Sequence, residues 1–220
     1  EMSVSGSFNA TYSSESGSGS QGKGLGTDKD FSVSGSGELD NGYTFSGYTL
    51  LKDDMAVSSS ALTLTMGSMG SVSIASGSGG NSTKYDVQTP TAYEEIDDGG
   101  NTSLSANFVG NWGDNNSLIY ATPALDMGGM TATIHAEYSP EATGTSPNDG
   151  GVQDSTAYGD GKSLGVTLAG SGVTFGAYGA TRTATDETKG VKDSLELVSY
   201  LNYAVGNVAL GVSMSHYDIG

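Results

Sequence analysis

Two stretches of this chain match patterns that carry chemistry elsewhere. Gly17-Ser18-Gly19-Ser20-Gln21-Gly22 has the spacing of a dinucleotide-binding turn, in which glycines let the backbone approach a pyrophosphate held at a helix N-terminus. Gly161-Lys162-Ser163-Leu164-Gly165 has the spacing of a nucleophile elbow, which exposes a reactive serine at a strand-to-helix turn. Neither is followed by a helical pattern. The first is a Gly and Ser stretch between two strands, and Ser163 opens an alternating strand, where it reads as hydroxyl lining. His135 and His216 are the only histidines and cysteine is absent, so neither a catalytic triad nor a His/Cys metal centre has support. No catalytic residue and no metal ligand is assigned.

The carboxylates are more informative. Tyr85, Asp86, Tyr93, Glu94, Glu95, Asp97, Asp98 and Asp114 fall in a link over roughly 76–115, far longer than an ordinary hairpin connection. Such a link is either a solvated acidic surface loop or a segment whose charges are focused between low-dielectric walls. Hard oxygen ligands are dense enough there for weak Ca²⁺ binding, but EF-hand spacing is absent, and no cofactor is assigned.

The elements that position these residues are strands. Met2, Val4, Gly6, Phe8, Ala10 and Tyr12 interleave with Ser3, Ser5, Ser7, Asn9 and Thr11, a period of two with one apolar and one hydroxylic face. The same alternation predicts eleven strands, at roughly 1–12, 30–39, 43–52, 60–66, 71–76, 116–123, 130–139, 162–169, 173–182, 193–205 and 208–219. Glu38, His135, Glu137, Arg182 and Glu196 stand in the polar phase of their strands. Tight links at Asp40-Asn41-Gly42, Gly67 to Gly70, Asp126 to Gly129, Gly170-Ser171-Gly172 and Gly206-Asn207 carry hairpin chemistry. Between them lie longer links, roughly 13–29, 53–59, 76–115, 141–161 and 183–192, holding Lys23, Lys29, Lys84, Lys189 and Lys192.

Composition bounds the class. Only 35% of the 220 residues are apolar, thin for a large dry core, and 35 are Gly, which favours strands and turns over helices. A formal charge of −17 excludes nucleic acid as a partner, since phosphate binding needs clustered Lys and Arg. No apolar run reaches the ~18 residues of a transmembrane helix. A water-filled membrane barrel fits all of this: alternate residues face lipid, the others face water, and short turns at one rim oppose long loops at the other. Tyr12, Tyr43, Phe45, Tyr138 and Tyr203, near strand ends, suit interfacial girdles. The competing reading is a secreted or surface-layer acidic β-protein with a structural or adhesive, calcium-binding role. It explains the charge but not the loop asymmetry.

The chain resembles the general diffusion porins of Gram-negative bacteria, especially the alphaproteobacterial type. The resemblance rests on Glu1-Met2-Ser3-Val4-Ser5-Gly6 as a mature start, on Phe31-Ser32-Val33-Ser34-Gly35-Ser36-Gly37 before the Asp40-Asn41-Gly42 turn, and on Met69-Gly70-Ser71-Val72-Ser73-Ile74 before the long third link. It implies an all-β, transmembrane, antiparallel up-and-down barrel of sixteen strands, about eleven of them in this chain, forming one domain over 1–220 without its C-terminal strands. It implies a homotrimer in outer-membrane lipid, passing small hydrophilic solutes and ions, with residues 76–115 folded inward as a constriction bearing Asp86, Glu94, Glu95, Asp97 and Asp98. Gly6, Gly35, Gly37 and Gly47 would leave a flat outer wall for trimer contact. Acidic residues in the polar phase and in the link point to a cation-favouring pore.

Overall fold

The structure is a computed structural model and describes residues 1–15, 22–52, 54–76, 80–85, 88–90, 117–140, 142, 158–185 and 192–218. Twelve strands form one antiparallel sheet: β1 (Met2–Glu15), β2 (Gly22–Glu38), β3 (Thr44–Leu51), β4 (Val57–Thr65), β5 (Ser71–Ser76), β6 (Ser117–Ala121), β7 (Leu125–Asp126), β8 (Thr131–Ser139), β9 (Tyr158–Gly170), β10 (Val173–Ala184), β11 (Ser194–Val205) and β12 (Val208–Asp218). Eleven follow one another as neighbours in chain order, and the two-residue β7 pairs back on β8. Among the described residues β1 and β12 pair only with β2 and β11, so the sheet has two open edges. One short helix, α1 (Asn81–Tyr85), interrupts the third link.

Turn chemistry explains the hairpin register at one rim. Ser171 and Gly172 both take positive φ, 51° and 79°, which a two-residue turn matched to strand twist requires, and they set Val173 opposite Gly170. Gly42, Gly67, Gly70, Gly128, Gly129 and Gly206 also have positive φ, all at this same rim. The opposite rim carries the links after β1, β3, β5, β8 and β10.

Two of the five expected long links are short. β1 and β2 stay in register as far as Glu15 opposite Gly22, so Lys23 and Lys29 lie in β2 rather than in a link. Their positions share the outward phase of Leu25 and Phe31. Backbone hydrogen bonds carry this extension where apolar alternation has stopped. The link after β3 is a tight turn as well: Met55 N–H donates to the Lys52 carbonyl at 2.9 Å, Lys52 N–H to the Ala56 carbonyl at 2.9 Å, and Met55 has φ 65°.

The sheet buries its faces in an inverted sense. On β11, Ser194, Glu196 and Tyr200 are buried while Leu195, Leu197, Leu201 and Tyr203 are exposed. Leu164, Val212, Leu62 and Ile74 share that exposed apolar face. A water-soluble sandwich reverses this arrangement. The single packed cluster among the described residues, Tyr85, Ala142, Tyr178, Ala180, Val198 and Tyr200, lies on the polar face beneath α1. No described helix is long and apolar enough to cross a membrane, and leucines turned outward from strands are what a barrel offers to lipid.

Candidate functional site: the polar face and the segment that crosses it

Register places the candidate residues on one face. A row of directly paired positions runs Ser36, Ser46, Thr63, Ser73, Ile119, Glu137, Ser163, Ala180, Glu196 and Tyr217 from β2 to β12. From β2 to β5 it is a belt of hydroxyls, with Thr63 Oγ1 and Ser73 Oγ 2.9 Å apart and Ser3 Oγ beside it 2.7 Å from Ser34 Oγ. A second row links Glu38, Thr44, Thr65, Ser71, Ala121 and His135. Glu38 is exposed at the tight-turn rim, five strand steps and so roughly 24 Å along the sheet from His135. It does not join the other four candidates.

Those four gather on β8 to β11, where α1 packs. Glu137 and Glu196 are 5% and 2% exposed, so both lie away from the open surface, and the Glu137 carboxylate lies under the helix. Glu137 Oε2 accepts from the Asn81 N–H at 3.2 Å and from Ser163 Oγ at 2.9 Å, and Asn81 Nδ2 donates to Ser163 Oγ at 3.0 Å. The first residue of α1 is thereby fastened to β8 and β9. Ser163 is held on a strand by a carboxylate and an amide, an arrangement unlike a nucleophile elbow.

Tyr85, at the other end of α1, is 1% exposed. Its ring stacks on Tyr178 at 5.3 Å between centroids and 24° between planes, and its hydroxyl lies 2.8 Å from His135 Nδ1. Burial pushes that hydroxyl up to about 12, so it stays protonated as a hydrogen-bonding partner for His135. Beyond α1 the chain continues along the same face: Asn202 Nδ2 donates to the Gln88 carbonyl, and Pro90 lies over Gly211 of β12. Within ten residues the link crosses from β8 to β12.

Arg182 closes the cluster toward the long-loop rim. Its guanidinium sits 3.6 Å from the centre of the Tyr158 ring, and Nε donates to Ser194 Oγ at 3.0 Å. Longer contacts of 3.4 Å reach the Ala142 carbonyl and the Tyr217 hydroxyl. Asp86, Glu94, Glu95, Asp97 and Asp98 lie outside the described residues.

Strand alternation does not single out the residues that do the holding: Asn81, Tyr178 and Tyr200, with the glycines opposite the two tyrosines. A signal was available. Tyr178 and Tyr200 are large aromatics in the inward phase of their strands, and each pairs across the ladder with a glycine, Tyr178 with Gly165 and Tyr200 with Gly176. A glycine opposite an aromatic leaves space for a ring to lie over the backbone.

No curated protein sequence matches the chain. The family model of the Gram-negative porins matches residues 1–219, which takes in every strand described above. Apolar side chains turned outward, hydroxyls turned inward, and α1 with residues 88–90 laid on the inward face agree with that match: the chain belongs to the Gram-negative porin family and is an outer-membrane porin.

Proposed function

We propose that this porin conducts small hydrophilic solutes passively, with a preference for cations, through a lumen narrowed by the third link. The observation that carries this is the docking of α1 and residues 88–90 on the polar face, which starts the acidic stretch Glu94, Glu95, Asp97 and Asp98 from inside the lumen. The hydroxyl belt of β2 to β5 contributes no fixed cation to oppose those carboxylates. Lys23 and Lys29 occupy outward positions, and the guanidinium of Arg182 is taken up by Tyr158 and Ser194. Negative charge between low-dielectric walls concentrates cations, and screening over about 8 Å at physiological salt does not remove it from a narrow passage. Reversal potentials of the full-length channel across a KCl gradient are expected to carry the cation-selective sign. The preference should weaken on Glu94→Gln with Glu95→Gln. A chloride-selective sign contradicts the proposal.

The proposal extends to a homotrimer of closed barrels. Open strand edges are not tolerated against lipid, so pairing with further strands, sixteen in all as in the porins this chain resembles, completes the wall. The wall is uneven: β3, β4 and β5 have 8, 9 and 6 residues against 14 and 17 in β1 and β2. Eight residues at ~3.3 Å each, tilted by ~40°, rise only roughly 20 Å, short of the ~25 Å apolar band. Lys52 and Asp54 would then stand at hydrocarbon depth, which a neighbouring barrel relieves and lipid does not.

Gly35 and Gly47, paired across β2 and β3, keep this wall low. Gly37 contributes less, because the Phe45 ring lies over it, 2.6 Å from where a Cβ would be. Gly6 has the Asp30 carbonyl 2.9 Å from that point, so substitution there strains the strand itself. Gly35 has only ordinary contacts, 3.7 Å or more. Gly35→Glu is therefore expected to convert trimers to monomers on native gels with the barrel intact, and an unchanged trimer contradicts this interface.

A further inference from the structure

We infer that Gly165 sets the bore of the pore, because it is the socket in which the third link is seated; this rests on the reading that the link narrows the channel. A Cβ built on Gly165 would overlap the Tyr85 ring, so the ring lies against bare backbone of β9. The slot has four walls. Tyr178, directly opposite Gly165 in the ladder, stacks on the ring, and Tyr200 leans on it at 6.5 Å and 47°. His135 meets its edge at 5.9 Å and holds its hydroxyl. The fourth wall is Gly165 itself.

Tyr200 is seated in the same way, its ring filling the space over Gly176. Two rings thus lie one Cβ closer to the sheet than any other residue at 165 or 176 would allow.

A methyl group at 165 cannot be absorbed by sliding the ring along the wall. The chain before it is tied at Asn81 to Glu137, and the chain after it is tied at Gln88 to Asn202, with Pro90 over Gly211. Tyr178, Ala180 and Val198, each 4% exposed or less, close the flanks. In an interior packed this tightly the free direction is away from the sheet, toward the lumen. Gly165 acts on the pore through Tyr85, as a positioning residue, and touches no solute.

The test uses the full-length protein in planar bilayers, with single-channel conductance in KCl and graded polyethylene glycols as the size probe. Four versions are compared: wild type, Gly165→Ala, Tyr85→Ala and the double variant. Gly165→Ala is expected to lower the conductance and shift the exclusion limit to smaller polymers. Tyr85→Ala should raise both. In the double variant the added methyl meets an empty slot, so its conductance should equal that of Tyr85→Ala, a non-additivity that a general effect on the strand would not produce.

Equal losses from Gly165→Ala in the two backgrounds, or no loss in the wild-type background, overturn the inference. If Gly165→Ala alone does not assemble, recovery of assembly by Tyr85→Ala supports the seating and its absence overturns it. The underlying reading fails separately, by a conductance that Tyr85→Ala leaves unchanged.

Discussion

Leu164→Arg is expected to destabilise the folded barrel by about 2–4 kcal/mol, the cost of an arginine facing hydrocarbon near the midplane. Leu164 is 60% exposed on the outward face of β9, six residues from the end of that strand at Gly170. At ~3.3 Å per residue and ~40° of tilt it lies roughly 15 Å above the tight-turn rim, near the middle of a ~25 Å apolar band. Ser46→Arg is the matched control. Ser46 is exposed and shares the inward row with Ser36 and Thr63, so its replacement enters water and should cost no more than about 0.5 kcal/mol. Equilibrium unfolding from lipid vesicles measures both. A larger cost at Ser46 than at Leu164 would mean that the two faces have been exchanged, and with them every statement about lining and lipid; equal costs would mean that neither face is set apart by lipid.

Deleting Thr91–Gly100 is expected to enlarge the pore. The described part of the third link, α1 and residues 88–90, is fastened to β8, β9, β11 and β12, so the deletion spares these anchors and removes the acidic stretch beyond them. Single-channel conductance should rise, larger polyethylene glycols should pass, and cation preference should fall with the loss of Glu94, Glu95, Asp97 and Asp98. Unchanged conductance and unchanged polymer exclusion would place this stretch outside the pore. The anchors that precede the deletion and Gly35 lie on opposite faces of the wall, so conductance and oligomeric state are expected to respond independently.

The strand sequence of this porin is legible because a membrane barrel writes its two faces into alternate residues. Met2 to Tyr12, Leu164 to Leu168 and Val208 to Met214 each specify a strand and a face without reference to any other part of the chain. The turn at Ser171-Gly172 then fixes the register of its hairpin. Legibility ends where pairing, not burial, holds the strand. From Gly22 to Asp30 the β2 sequence has little apolar alternation, and only its ladder with β1 keeps it extended. The turn at Lys52 to Ala56 is hidden for a related reason, since Ser58, Ser59 and Ser60 at the start of β4 carry no pattern to mark where the strand begins.

The site was half visible. Phase alone places Glu137, His135, Arg182 and Glu196 on the inward face, but whether an inward carboxylate meets water or lies under α1 depends on a contact between segments more than fifty residues apart. The same holds for Gly165, whose importance appears only when Tyr85 is laid over it.

Bilayer conductance tests most directly whether this chain builds a water-filled passage across the outer membrane. Full-length protein extracted in detergent and added to a planar lipid bilayer in KCl is expected to produce discrete, additive current steps, each one a channel inserting. Protein that partitions into buffer without detergent and yields no steps would contradict the account, and would return the acidic, strand-rich chain to the secreted or surface-layer reading.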